Sequence, residues 1–494
     1  MMLSKSRYMA GRQCPKRLWF EVNARERVPK PDAATEAIFE QGHEVGRLAQ
    51  GLFPGGVEID RERLGWEGAL AATAEALARR VPVYEAAFAF EGAACRVDIL
   101  APAEGGAWDL VEVKSTTSAR EEHVEDVAFQ TWVLRGAGVP VRRSLLCHLD
   151  SSYVRRGPLE LGRLFALEDL TNQVAPALAV LPPAVRRLRE IMALPASPEI
   201  AIGPHCSDPY ECPLISACWS DVPDDGVFTL YRGGRRCWDL LAGGALHLHD
   251  IPAGFPLTDF QSIQVAAARS GTAHVDGVAL REFLGRLEFP LHYFDLESYA
   301  LAIPPFDGVR PYQQVPFQFS LHVADAPGAA PRALAFLAEG DGDPRRAFID
   351  AAREAIGPSG SIVAYYDSFE RGRLEELADA FPEHAGWLRG LSPRFVDLLA
   401  PFRTFAYYHP EQRGSASLKA VLPVLTGRGH DHLEIREGGA AAREFLRAID
   451  PATPPEERER IRSALLAYCG RDTEGMVEVV EALRALVDGQ GPGI

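Results

Sequence analysis

The chain has 494 residues, 47% hydrophobic and 24% charged, the balance of a globular protein with room for two to four domains. Its formal net charge of −16 excludes a protein that binds nucleic acid with its whole surface, while leaving room for a local basic channel. No apolar run approaches the roughly 20 residues a membrane helix needs, and the polar, basic start has no secretory h-region, so the expectation is a cytoplasmic protein with reduced thiols and no membrane partner.

Residues 1–30 hold Lys5, Arg7, Arg12, Lys16, Arg17, Arg25, Arg27 and Lys30 against Glu21 and Glu26, a basic end suited to phosphate contact or to plain solvation. Five of the 52 basic residues are lysine; arginine has taken the positions where any cation suffices. A lysine that persists, such as Lys114, marks a place where a compact, tunable ammonium matters. Hydrophobic periodicity predicts an α/β unit over 1–220. Helices fall at 33–52 and 66–80, and strands at Val83–Phe90, Ala94–Leu100 and Trp108–Lys114. A helix at Val124–Gly136, a strand at Arg143–His148 and a helix at Leu178–Leu194 follow. The Gly-rich stretch 221–289, with a short helix near Asp276–Arg286, reads as a connector. Residues 290–494 restart with strands at Leu291–Glu297, Val315–Val323 and Ala333–Ala338 and end in helices at 455–468 and 472–488.

Three constellations carry chemistry. Asp98 lies in one strand, and Glu112 and Lys114, two apart, share a face of the next, with Val111 and Val113 pointing into the core. Two carboxylates and a backbone carbonyl can hold Mg²⁺ or Mn²⁺ with water left on it, and a lysine beside them can orient a nucleophile for phosphodiester hydrolysis. Four of the eight cysteines form a second set: Cys14, and Cys206, Cys212 and Cys218 in a proline-rich loop. Thiolates select an iron–sulfur cluster or Zn²⁺, and spacing alone does not choose. Cys95, Cys147, Cys237 and Cys469 sit in apolar patterns and read as core. In the third set, Asp295 and Glu297 end a strand on one face. Asp367 and Glu370 flank a strand-to-helix junction, and Tyr468 and Asp472 lie four apart on a helix. Four acids brought together there hold two metal ions. Gly414 to Ser417 precede a helix and serve as a phosphate loop or as a plain cap.

The stretch 43–130 resembles the PD-(D/E)XK nucleases, in particular the RecB-like and CRISPR-adaptation exonuclease group. The resemblance implies that Asp98, Glu112 and Lys114 are catalytic and that His43, after Gly42 on a helix, is a metal ligand. Gln130 opens a Gln-x-x-x-Tyr motif in which Leu134 replaces the tyrosine. Glu85 either supports that site or is a solvated strand-end residue. Some members of the group close their nuclease domain with an iron–sulfur cluster, one cysteine before the core and three after. Cys14, Cys206, Cys212 and Cys218 follow that order, with C-x5-C-x5-C in place of C-x2-C-x5-C, which implies a [4Fe–4S] cluster with Zn²⁺ as the alternative.

Residues 290–480 resemble the DnaQ-like, RNase H-fold 3′→5′ exonucleases of the DEDDy type. Asp295 and Glu297 match the first motif, Glu370 the second acid, and Tyr468 with Asp472 the last. Glu370 replaces an Asp and Asp367 stands where Asn is common, so either one is the third acid. Nearly the whole chain resembles bacterial proteins that fuse a RecB-like nuclease to an RNase H-like domain. This implies an α/β chain, a PD-(D/E)XK restriction-endonuclease-like domain over 1–220 followed by an RNase H-like exonuclease domain over 290–494. The expected function is metal-dependent hydrolysis of DNA, trimming single strands or free ends in repair, CRISPR-type adaptation or phage defence, with RNA left open as a substrate. The alternative is a non-enzymatic DNA-binding scaffold, or a chain with one active nuclease domain.

Overall fold

The structure, a computed structural model, describes residues 1–340 and 342–489. It is mixed α/β and divides into two compact units: Met1–Asp221 together with Leu301–Gln313, and Val222–Ala300 together with the chain from Gln314 onward.

Unit 1 is built on a seven-stranded mixed sheet. Val83–Phe90 and Ala93–Pro102 pair antiparallel across a two-residue turn in which Glu91 and Gly92 both take positive φ, 45° and 78°, the turn whose twist matches that of paired strands. Trp108–Val113 pairs antiparallel with Ala93–Pro102 and parallel with Val141–Leu149. The helix Glu121–Gly136 makes the parallel crossover. One sheet face packs Val97, Leu110 and Leu146 against Val127, Phe129 and Leu188 of flanking helices; the other packs Ile99, Val111 and Leu145 against Val45 and Ala49 of the helix Ala33–Gln50.

The segment 301–313 belongs to this unit through its contacts. Ala302 joins the second of these faces. Arg155 donates to Pro304 O at 2.9 Å and Pro305 O at 2.7 Å, and Ala302 N–H donates to Gln41 Oε1 at 3.1 Å.

Unit 2 carries a five-stranded sheet in the order Arg332–Leu337, Val315–Ala324, Leu291–Tyr299, Ile362–Ala364, Phe395–Asp397. The first two pairings are antiparallel and the last two parallel. Among the described residues no helix is long and apolar enough to cross a membrane.

Two sequence expectations change. Residues 222–289 are not a bare connector: they are grouped in unit 2 and bury a core of their own, Val227, Leu230, Leu240, Leu248 and Val265. The helices expected at 455–468 and 472–488 are one helix, Pro455–Val487. Its buried face runs unbroken through Leu465, Tyr468, Cys469, Asp472, Met476 and Val479, and packing along such a stripe outweighs the roughly 1 kcal/mol that Gly470 costs in a helix.

Candidate functional site

In unit 1, sheet pairing brings Asp98 and Glu112 onto adjacent strands. The Val113 N–H donates to Asp98 Oδ2 at 2.7 Å, and Lys114, just past the strand end, stays in register through its N–H to Cys147 O at 2.9 Å. Glu112 is fully buried and takes three donors: Lys114 Nζ at 2.5 Å and Lys5 Nζ at 2.7 Å on Oε1, and Gln130 Nε2 at 2.7 Å on Oε2. Lys114 also bonds Asp126 Oδ2 at 2.7 Å, and Gln130 reaches Asp126 Oδ1 at 3.1 Å, since Asp126 and Gln130 lie four apart on the same helix.

Burial pushes Asp98 up to about 7, with repulsion from Glu112 adding and Lys5 and Lys114 opposing. Burial also works to raise Glu112, but the ammonium groups of Lys114 and Lys5 override it and hold the carboxyl far below its ordinary range. Burial opposes the charge on Lys114, and Glu112 and Asp126 more than compensate, so its pKa is raised.

His43 is exposed on the helix Ala33–Gln50, which passes the lysine end of the strand: a Cβ on Gly42 would lie 4.0 Å from Ser115 Oγ. Among the described residues it is not in a group of ligand atoms with Asp98 and Glu112. Glu85 instead pairs with Arg96 at 3.0 Å and takes a left-handed φ of 56° within its strand.

The four cysteines share a cavity, although among the described residues no three of their Sγ atoms lie within 4.8 Å of one another. Cys14, Cys206, Cys212 and Cys218 line one cavity of unit 1, beside Lys16, Arg17 and His205. Cys14 is the junction of two helices, Lys5–Gln13 and Pro15–Asn23, in extended conformation between them. Gln13 fastens the first helix to the loop by donating to His205 O at 2.9 Å, and Cys212 N–H closes the loop onto Cys206 O at 2.8 Å. All are free thiols. Burial pushes the Cys212 thiol up; Arg17 opposes, and Cys14 and Cys218 add to the rise.

In unit 2 the strand Leu291–Tyr299 and the long helix assemble an acidic cluster. The cross-strand partners of Glu297 and Asp295 are Gln318 and Ser320. Gln318 donates to Leu465 O at 2.8 Å, and Ser320 shares a hydrogen bond with Thr473 at 2.7 Å. These bonds clamp the strand pair to the helix that presents Tyr468 and Asp472. Carboxylate oxygens of Asp295, Glu297 and Asp472 consequently lie within 4.8 Å of one another.

Glu370 is buried in the first turn of the helix Ser368–Ala380, its Oε2 lacking a hydrogen-bond partner among the described residues. Asp367 instead bonds Arg371 at 3.4 Å. Burial raises Asp295 well above its usual range, with Asp472, Glu297 and Glu370 adding. Burial pushes Glu297 up to about 8, Asp472 adding and Lys419 opposing; Glu370 is also pushed up to about 8, by burial first and then by Asp367, Asp397 and Glu297. Tyr468 is raised by burial and by the neighbouring acids.

Five further residues belong to these clusters: Lys5, Asp126, Lys419, His430 and Cys469. Lys419 Nζ lies 3.4 Å from Tyr468 Oη and 5.2 Å from the centre of its ring. His430 Nε2 is 2.8 Å from Asp472 Oδ1, and the Cys469 thiol, expected to be core, lies 3.4 Å from Asp295 Oδ2. Ser417 is the N-cap residue of the helix carrying Lys419 but makes no side-chain capping bond. The scarcity of lysine was a signal for Lys5 and Lys419, and the i, i+4 spacing to Gln130 was one for Asp126; His430 carried none.

Residues 292–417 match a family described as a domain of unknown function (DUF2779), a stretch that includes Asp295, Glu297 and Glu370. No curated protein and no solved structure matches the chain.

Proposed function

We propose that the chain is a metal-dependent nuclease that hydrolyses DNA phosphodiester bonds, working from ends or on single strands, with a PD-(D/E)XK-type site in unit 1 and an RNase H-type exonuclease site in unit 2. The observation that carries the proposal is the gathering of Asp295, Glu297 and Asp472 within 4.8 Å, with buried Glu370 facing them electrostatically. Desolvated carboxylates this close repel unless a cation joins them, and an all-oxygen donor set suits Mg²⁺ or Mn²⁺. A divalent cation there supplies the charge that polarises a phosphodiester and acidifies water. The chain's own part is to hold the acids through Gln318 and Ser320 and to position the attacking water with Tyr468.

Unit 1 supports the same chemistry through different residues. Asp98 keeps one oxygen clear of its bond to Val113, and Glu112 and Lys114 lie beside it. The all-sulfur donors of Cys14, Cys206, Cys212 and Cys218, lining one cavity, fit a [4Fe–4S] cluster, with Zn²⁺ as the alternative, and do not fit Mg²⁺. A cytoplasmic role in repair, CRISPR-type adaptation or phage defence accords with this reading. A second reading keeps unit 1 as a DNA-binding scaffold; the ion pairs that engage Glu112 and Asp126 favour it.

The test uses end-labelled single-stranded DNA, duplex DNA and RNA with Mn²⁺ or with EDTA, alongside melting curves. The proposal predicts shortening of DNA from its ends with Mn²⁺ alone, a metal-induced rise in melting temperature, and loss of most of that rise in Asp295→Asn. A protein that Mn²⁺ neither stabilises nor activates is a scaffold.

A further inference from the structure

The N-terminal helix delivers a second ammonium group to the site in unit 1, one that the Asp98, Glu112 and Lys114 pattern does not require. Lys5 is the first residue of the helix Lys5–Gln13, and the root of that helix is pinned. Leu3 and Ser4 pair in parallel with Ala93 and Ala94 on the strand that carries Asp98. Further along the helix, Tyr8 donates to Glu125 at 3.0 Å and stacks on Phe129 at 4.7 Å, which ties it to the helix bearing Asp126 and Gln130. So held, Lys5 Nζ lies 2.7 Å from Glu112 Oε1 and 3.4 Å from Asp126 Oδ1, with the side chain 22% exposed. Lys114, 27% exposed, contacts the same two carboxylates, at Glu112 Oε1 and Asp126 Oδ2.

The charges can be counted. With Asp98 ionised, as it is once a cation takes the place of its proton, Asp98, Glu112 and Asp126 supply three negative charges, and Lys5 and Lys114 two positive, which leaves one negative. One divalent cation turns this to one positive, and one phosphodiester brings it to zero. Without Lys5 the residues carry two negative charges, so a single cation already neutralises them and nothing remains to attract the phosphate.

We propose that Lys5 is a positioning residue of the unit 1 site: through Glu112 and Asp126 it orients the carboxylates and sets their charge for one divalent cation and one phosphodiester. The inference rests on the nuclease reading of unit 1. Its signature is an inverse one. Removing a structural lysine weakens everything around it, whereas removing a charge-setting lysine strengthens cation binding while weakening turnover.

The test uses the full-length chain with Mn²⁺ as probe. Calorimetric or EPR titration of wild type and Glu112→Gln identifies the Mn²⁺ bound in unit 1 as the one Glu112→Gln loses. Lys5→Met is expected to bind that Mn²⁺ at least about tenfold more tightly, since a repelling charge within a few ångströms is gone. In the Asp295→Asn background, where unit 1 is the remaining site, Lys5→Met is expected to lower kcat by on the order of tenfold to a hundredfold and to raise KM for DNA. Lys5→Arg keeps the charge and restores both. Lys5→Gln replaces Lys5→Met should the latter not fold. Unchanged Mn²⁺ affinity with unchanged kcat overturns the inference, as does joint loss of Mn²⁺ binding and melting temperature. Should wild type cut no nucleic acid and Glu112→Gln remove no Mn²⁺, the nuclease reading of unit 1 fails and the Lys5 inference falls with it; cleavage that needs Glu112 but is indifferent to Lys5 overturns the inference alone.

Discussion

Glu112 takes donors from Lys5, Lys114 and Gln130, so the consequences of losing each are distinct. Lys114→Ala is predicted to lower hydrolysis at unit 1 by roughly 10²–10⁴, the usual scale for a lost acid–base group, while Lys5 and Gln130 still satisfy the buried carboxylate and keep the fold. Lys114→Arg is expected to fail nearly as badly, because a planar guanidinium does not replace the compact ammonium held between Glu112 and Asp126. Single-turnover cleavage in the Asp295→Asn background measures both, and full activity in the arginine variant would reduce Lys114 to a counter-charge. Much of this cluster was legible in the sequence, because residues two apart on a strand share a face: Glu112 with Lys114, and Asp295 with Glu297. Lys5, Lys419 and His430 were not placed, because their partners are 107, 49 and 42 residues away and no local period links them.

At the scale of elements, the acidic cluster joins one strand to one helix, and its burial, with mutual repulsion adding, makes stability depend on pH. Glu297 and Glu370 rise from about 4.5 to about 8 on folding. A raised carboxyl pKa means that the folded state binds more protons than the unfolded chain between those values. Its stabilising share is complete below about 4.5 and is lost as the pH climbs through about 8. The metal-free protein in EDTA should therefore lose melting temperature across that window and Mg²⁺ should flatten the loss; a flat or rising curve in EDTA contradicts it. The thiol site ties the N-terminal helices to the loop at 203–218. Protein purified without oxygen is predicted to be brown with about four irons per chain, and Cys212→Ser to lose colour and solubility together; a colourless, folded protein with one zinc keeps the site and rejects the cluster. The longer strands lie close to where alternation placed them, as with Val83–Phe90 in full, whereas the short strands Leu3–Ser4, Val57–Glu58, Phe165–Asp169 and Phe395–Asp397 were not expected, since two to five residues carry too little alternation to show. Sequence reading stopped short at two helices. Thr171–Met192 continues through Pro176, and Pro455–Val487 continues through Gly470, because in each a buried stripe on one face outweighs the local penalty.

At the scale of the whole molecule, the chain leaves unit 2 after Ala300, contributes residues 301–313 to unit 1, and returns at Gln314. A fragment ending at Asp221 therefore lacks Ala302 from one core face and the carbonyl groups that satisfy Arg155. It is predicted to melt below the corresponding transition of the full chain and to recover part of the difference when a peptide of residues 300–314 is added; a fragment as stable as the unit in the intact protein would show that the segment contributes little. The central claim is that two separate clusters, one around Glu112 and Lys114 and one around Asp295 and Asp472, each cut DNA. The most direct measurement compares Mn²⁺-dependent degradation of labelled single-stranded DNA by wild type, Lys114→Ala, Asp295→Asn and the double variant, with folding of each verified by melting. The account predicts partial loss in each single variant and no cleavage by a folded double variant. Cleavage by the double variant at the wild-type rate, or none by wild type, would contradict it.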